Sequence, residues 1–143
     1  MNIKRINQFS EEVFEAVLKL LPQLAPDAEL PTRQYFKTTL ASGNTHFFIA
    51  ELENKEIVGM LTVGTYNIPT GTKIWIEDVV VDESQRGKGV GKELIRFAIE
   101  YSGSLGAKSV ALTSRPSRVE ANELYKKMGF VQHETNVYKY LLK

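Results

Sequence analysis

The 143-residue sequence contains no cysteine. Disulfides, thiolate nucleophiles and cysteine-ligated zinc sites are thereby excluded. Histidine is nearly as scarce. His46 and His133 are the only imidazoles, and neither lies in a metal-binding pattern such as H-E-x-x-H, so no metal is expected. Charge of one sign is also missing: 18 basic side chains stand against 17 acidic ones, a formal net charge of +1. A general nucleic-acid binder carries a strongly basic stripe, so nucleic acid is not expected as the main partner. No apolar run approaches the ~20 residues that span a bilayer. Met1-Asn2-Ile3-Lys4-Arg5 lacks the apolar stretch of a signal peptide. The expected setting is the cytoplasm, without a membrane partner.

What the sequence does have is 43% hydrophobic residues, enough for a core, in a length that suits a single domain over residues 1–143. Met1 to Asn7 reads as a short strand. Ser10 reads as an N-cap, with Phe9 and Phe14 spaced as a hydrophobic staple and Glu11 and Glu12 suiting the helix dipole. Val13, Phe14, Val17, Leu18 and Leu21 form a helical stripe that Pro22 is expected to stop. A second helix is predicted after Pro31, burying Tyr35, Phe36 and Leu40 and closing at Gly43. His46 to Leu52 and Ile57 to Tyr66 then read as a hairpin, followed by a strand over Lys73 to Val81. Helical spacing returns from Val90 to Leu105. A strand is predicted over Lys108 to Thr113, then a helix capped by Ser117, with Glu120 at the capping-box position and Gly129 as its stop. Two last strands are expected at Phe130 to His133 and Thr135 to Leu142. The order βααβββαβαββ predicts an α/β domain with a partly antiparallel sheet.

The most informative stretch is Val79-Val80-Val81-Asp82-Glu83-Ser84-Gln85-Arg86-Gly87-Lys88-Gly89-Val90-Gly91-Lys92. A strand runs into a glycine-rich turn that opens a helix. Such a turn gathers backbone N–H groups at the positive end of a helix dipole, and glycines keep side chains out of an anion's way. Arg86, Lys88 and Lys92 add positive charge, so the expected ligand is a phosphate or pyrophosphate. A Walker loop, G-x-x-x-x-G-K-[ST], is not present. A dinucleotide fingerprint fails because Lys92 stands where its third glycine belongs.

The remaining pattern, Arg86-x-x-Gly89-x-Gly91, resembles the coenzyme A pyrophosphate loop of the GNAT N-acetyltransferase superfamily. Some 30 residues on, Ala121-Asn122-Glu123-Leu124-Tyr125 and the following Gly129-Phe130 resemble that family's A-N-x-L-Y-x-x-x-G-F helix. Two motifs in the right order are far more specific than either alone. The resemblance implies the family fold: a mixed, mostly antiparallel sheet of about seven strands flanked by about four helices. It also implies acetyl-CoA as co-substrate and an acetyl transfer to a primary amine.

By resemblance, Val79, Val80 and Val81 offer main-chain groups to the pantetheine arm and the thioester carbonyl. Arg86, Gly87, Lys88, Gly89, Val90 and Gly91 hold the pyrophosphate, and Asn122 bonds the arm from the facing helix. Without a cysteine to acetylate, direct attack in a ternary complex is the simplest scheme. The resemblance makes Tyr125 the general acid, although Ala121, Leu124, Tyr125 and Met128 share a helical face as a core tyrosine also would. Glu77 is the leading base candidate, with Asp78 or a water chain as alternatives. Strand alternation sends Glu77 and Asp78 to opposite faces unless a bulge intervenes. The acceptor, a small-molecule amine or a peptide, is expected between the loop from Pro22 to Pro31 and the segment from His133 to Tyr138. Asp27 and Glu29 could attract a cationic amine there, although acids in such a loop are more often simply solvated. Other open readings are a protein N-terminal acetyltransferase, an enzyme for another acyl group, and a non-catalytic coenzyme-A-binding regulatory module. A homodimer through the final strand is compatible with this fold.

Overall fold

The computed structural model describes residues 1–143. They fall into two compact units, Met1–Thr113 and Ser114–Lys143. The first holds β1 (Asn2–Ile6), α1 (Glu11–Leu24), α2 (Arg33–Ala41), β2 (Thr45–Glu51), β3 (Ile57–Ile68), β4 (Gly71–Val81), a 3-10 turn (Glu83–Gln85) and α3 (Val90–Ser104); the second holds α4 (Val119–Lys127). The architecture is therefore α/β with four helices. The sheet is antiparallel in the order β1-β2-β3-β4. No helix is long and apolar enough to cross a membrane.

Ser10 caps α1 as expected, accepting from the Val13 N–H at 3.2 Å, and Phe9 meets Phe14 with ring centroids 5.7 Å apart. Pro22 does not stop this helix: α1 continues to Leu24 with the proline inside it. Proline removes only its own N–H from the ladder, and Ala25 N–H still reaches the Leu21 carbonyl at 3.0 Å. Thr32 caps α2, which ends at Ala41 before Gly43, and Tyr35 points outward at 66% exposure while Phe36 and Leu40 are buried. A nine-residue helix has only one face to bury, and Phe36 and Leu40 define it.

Both faces of the sheet are covered. On one, Phe47, Ile49, Met60 and Val80 pack with Val13, Phe14, Val17 and Leu20 of α1 and with Phe36 and Leu40 of α2. On the other, Phe48 stacks edge-on against Phe97 and Tyr101 of α3. Gly59 permits the approach of α3. A Cβ there would lie 2.9 Å from Leu94 Cδ1 and 3.3 Å from Val90 Cγ1, so its absence lets the first turn of α3 sit on the sheet beside the end of β4. These cores outweigh surface ion pairs such as Arg96 with Glu93, each worth at most about 1 kcal/mol.

One sheet of four strands replaces the seven expected. Of the predicted strand 108–113, only Ala111 pairs, in a single parallel bridge to Trp75. Residues 131–143 form no ladder and are exposed throughout, with Tyr138 at 89% and Leu142 at 92%. Alternation gives a segment the capacity to be a strand, but the hydrogen bonds must come from a free sheet edge that its own sequence does not specify. Ser117 is likewise not a cap. The residue before α4 is Arg118, without a side-chain cap bond. Asn122 ties this end down instead, donating from Nδ2 to the carbonyls of Arg115 (2.9 Å) and Arg118 (2.8 Å).

Candidate active site

The first part of the site comes from an irregularity in β4. Thr62 faces Glu77, but Met60 faces Val80, so Asp78 and Val79 together lie opposite Leu61. This is a β-bulge, and Asp78 carries it in the left-handed region at φ 50°. The extra residue flips the alternation. Before the bulge, Ile76 pairs beside Val63 on the α3 face; after it, Val80 joins the core against α1. Glu77 shares a face with Thr62 and Val80. Its carboxyl is pushed upward, chiefly by partial desolvation and then by the charge of Asp78. Beside it lies an open depression of about 370 Å³, lined by Asn44, Gly64, Thr65, Tyr66, Trp75 and Glu77.

The outer edge of β4 opens at the same level. Ile76 N–H donates to Ala111 O at 2.9 Å and Ala111 N–H to Ile74 O at 3.0 Å. No backbone bond joins segment 108–113 to β4 beyond Ile76. Val79 is half-buried, Val80 is buried and Val81 half-buried. The Val81 carbonyl accepts from Arg86 Nε at 3.1 Å, which folds the arginine back along the strand end.

After Val81, the chain makes the 3-10 turn and reaches Gly87 and Gly89, with φ of 76° and 85°. Gly89 is the N-cap of α3 and has no side chain to satisfy the amides behind it. The first backbone bond of the helix is Glu93 N–H to Gly89 O, so the N–H groups of Val90, Gly91 and Lys92 have no intrahelical acceptor. A Cβ at Gly87 or Gly89 would meet nothing within 4 Å. Space, orphan donors and the dipole of a 15-residue helix coincide here, with exposed Arg86, Lys88 and Lys92 around them. These features suit the pyrophosphate of a coenzyme.

In the second unit, Asn122 and Tyr125 lie on α4. Asn122 Nδ2 is committed to the two carbonyls named above, leaving Oδ1 as an acceptor. Tyr125 is buried at 6% exposure. Burial pushes its phenol upward, partly opposed by the charge and hydrogen bond of Arg118, so the group keeps its proton at neutral pH. The end of α4 explains the spacing from tyrosine to glycine and phenylalanine. Gly129, at φ 100°, donates to Lys126 O at 3.1 Å, and Phe130 N–H donates to Tyr125 O at 3.0 Å. That is a Schellman closure, and its usual apolar contact is the Tyr125–Phe130 ring pair, 5.8 Å between centroids. No group of three or more His, Asp or Glu side chains is placed to hold a metal ion.

Sequence reasoning missed the residues that brace the turn. Asp82 is buried, and its carboxyl is held down at about 2, first by the Ser84 backbone N–H and then by Lys19. A contact across 60 or more positions leaves no local signal.

A family model described as the acetyltransferase (GNAT) family matches residues 10–130. An uncharacterised N-acetyltransferase of Methanocaldococcus jannaschii is 33% identical over 105 residues, covering 71% of this chain and 46% of that protein. A glucosamine 6-phosphate N-acetyltransferase of Trypanosoma brucei brucei is 48% identical over 59 residues, covering 41% of this chain and 38% of the relative. The chain thus spans less than half the length of these two relatives. Among solved structures, an aminoglycoside acetyltransferase from an uncultured soil metagenomic sample superposes with a TM-score of 0.88 at 22% identity. It covers 99% of this chain and 96% of its own, a likeness of fold.

Proposed function

Since the chain belongs to the GNAT acetyltransferase family, we propose that residues 1–143 act as one domain that transfers acetyl from acetyl-CoA to the primary amine of a small molecule. The observation that carries this reading is the open start of α3. Two left-handed glycines with open space at their Cβ positions lead into three amides without intrahelical acceptors, beside three cationic side chains.

When bound, acetyl-CoA supplies a thioester carbonyl as electrophile. The turn from Arg86 to Gly91 binds the pyrophosphate through the amides of Val90, Gly91 and Lys92, with Lys88 adding charge. Main-chain groups of Val79 to Val81 pair with the pantetheine arm along the free edge of β4, and Asn122 accepts through Oδ1. The backbone N–H groups at Val79 and Val80 polarise the carbonyl oxygen as charge develops on it. The acceptor enters as an ammonium, which has no lone pair. Glu77 takes its proton, directly or through water, and its upward-shifted carboxyl suits a base. The freed amine attacks the thioester carbon in a ternary complex, the C–S bond breaks as Tyr125 donates its phenolic proton to the departing thiolate, and the second amine proton returns to the tyrosinate to leave the neutral amide.

In this reading the acceptor sits in the depression beside Glu77, with Trp75 and Tyr66 as its apolar walls. Aromatic faces beside a carboxylate suit a cationic amine on a compact body. An amino sugar is the leading class, supported by the amino-sugar-phosphate relative. A cytoplasmic homodimer in which residues 131–143 pair with a second copy completes the reading, supported by their exposed valines, tyrosines and leucines.

The test is calorimetric titration of acetyl-CoA, then thiol release across amino sugars and their phosphates, aminoalkyl phosphonates, polyamines, amino acids and N-terminal peptides. Binding with thiol release on amino sugars is expected. Release only with peptides moves the acceptor to protein N-termini, and binding without release on any amine leaves a regulatory module. Absence of binding overturns the reading.

A further inference from the structure

No backbone hydrogen bond closes the stretch from Gly87 to Gly89, and Lys88 Nζ reaches back to Gln85 Oε1 only at 3.5 Å, so the geometry of the turn depends on what holds the residues before it. Those residues are held unusually well. Asp82 N–H donates to Val58 O at 2.8 Å, and Gln85 N–H to Asp82 O at 2.8 Å. Asp82 Oδ1 accepts from Ser84 N–H at 3.0 Å and from Ser84 Oγ at 2.9 Å. Two side chains then reach this knot from a distant part of the chain. Lys19 Nζ lies 3.0 Å from Asp82 Oδ2, the oxygen that Ser84 leaves free. Gln23 Oε1 accepts the Glu83 N–H at 2.9 Å, while its Nε2 donates to Lys19 O at 3.3 Å.

Lys19 and Gln23 are four residues apart, on one face of α1. Gln23 can take part only because α1 runs past Pro22 instead of ending there. The Asp82 carboxylate is 5% exposed and the Lys19 side chain 59%. Lys19 is therefore an outside clamp on an inside anion, a stronger arrangement than a pair with both partners in water. Every residue from Asp82 to Arg86 is hydrogen-bonded through its backbone or side chain. The open stretch of Gly87 and Gly89 begins where that set ends.

We propose that the last turns of α1, through Lys19 and Gln23, hold the pyrophosphate turn in its binding geometry as positioning residues for coenzyme A. The inference rests on the reading of residues 86–91 as the pyrophosphate site. It adds that the strength of that site is set partly by a helix the coenzyme does not touch. Anything that shifts the end of α1, including the loop of residues 25–32 that follows it, is then felt at the turn.

The test compares wild type with Lys19→Met/Gln23→Met and with the conservative pair Lys19→Arg/Gln23→Glu, which keeps a cation and an acceptor. Three quantities are measured: affinity for coenzyme A by calorimetry, affinity for pantetheine (which lacks the pyrophosphate) by chemical-shift titration, and amide exchange of residues 83–91 in the free protein. The methionine pair is expected to weaken coenzyme A about tenfold, the weight of one charge-assisted hydrogen bond, with faster exchange at residues 83–89. Pantetheine affinity should change less than about twofold, and the conservative pair should restore most of the loss. Equal weakening of both ligands would mean general destabilisation and overturn the proposal, as would unchanged coenzyme A affinity with unchanged exchange. If the double variant does not fold, Gln23→Met alone, which removes one surface bond, carries the same comparison. If wild type binds neither ligand, the coenzyme reading itself fails. Exchange alone then decides whether Lys19 and Gln23 brace the turn.

Discussion

The start of α3 and the end of α4 both depend on glycine in the left-handed region, and they put it to opposite uses. At α3, Gly87 and Gly89 bend the chain so that three amides are left without acceptors and without covering side chains. At α4, Gly129 bends it so that the carbonyls of Lys126 and Tyr125 are both satisfied and Tyr125 is locked against Phe130. A positive φ is therefore not in itself a sign of a site. The hydrogen bonds left over around it are. An open terminus has free energy to offer a ligand, whereas a closed one has already committed it to the fold.

Substitutions can break this contrast. The largest effect is expected from Tyr125→Phe, which keeps the ring contact of the closed end but removes its proton: kcat should fall roughly 100-fold with coenzyme affinity unchanged and stability lowered by no more than about 1 kcal/mol, the weight of the lost hydrogen bond with Arg118. Wild-type turnover would take Tyr125 out of the chemistry. Next comes Gly89→Val, a β-branched residue at φ 85° in the mouth of the open end. It should weaken coenzyme A by about tenfold or more in calorimetry, and intact affinity in a folded variant would remove the turn from the site. Gly129→Ala should do the reverse. It costs about 1–2 kcal/mol of stability in denaturant titration while coenzyme affinity stays within about twofold, because the strain falls on a terminus that binds nothing.

The smallest effect sharpens the contrast from a third side. His46 donates or accepts at Nδ1 with the Tyr101 hydroxyl, 2.8 Å away, but its Nε2 is buried without a partner. This is an open polar group closed off from any ligand. Burial first, and then the charge of Arg5, hold its imidazole below the ordinary 6.5. The unfolded chain thus takes up this proton more readily than the folded one. The contribution is complete above the unfolded value and declines as pH falls below about 6.5. Urea unfolding at about pH 7.5 and about pH 5.5 should show a loss in wild type that is reduced in His46→Phe. Equal losses would assign the pH dependence to other groups.

Much of this was legible in sequence where the cause was local. Ser10, the Phe9–Phe14 staple, the β2–β3 hairpin, the glycine turn and the Gly129 stop all act within a few residues of themselves. Pro22 was misleading because its rule describes a missing donor and a steric preference, both of which an otherwise well-packed helix absorbs. The bulge at Asp78 was hidden because nothing in Glu77-Asp78-Val79 requires a left-handed aspartate; it arises from the register of β3 against β4. The partners of Asp82 and the fate of residues 131–143 lay beyond reach for the same reason, since both are set by distant backbone.

That bulge also fixes how the length of this strand can vary. Ile76 and Val80 are four positions apart yet serve opposite cores, so the spacing between them encodes a change of phase. Removing one residue from this interval would erase the bulge but leave the two side chains three positions apart, still on opposite layers; removing two would bring them onto the same layer. The connections at residues 53–56 and 69–70 carry no such phase and can gain or lose residues without misdirecting a core. Single-residue insertions and deletions should therefore be accepted on the hairpin tips, a deletion also at the bulge, and both refused elsewhere along β4, which makes the parity of spacing in this strand, more than its hydrophobicity, the inherited quantity.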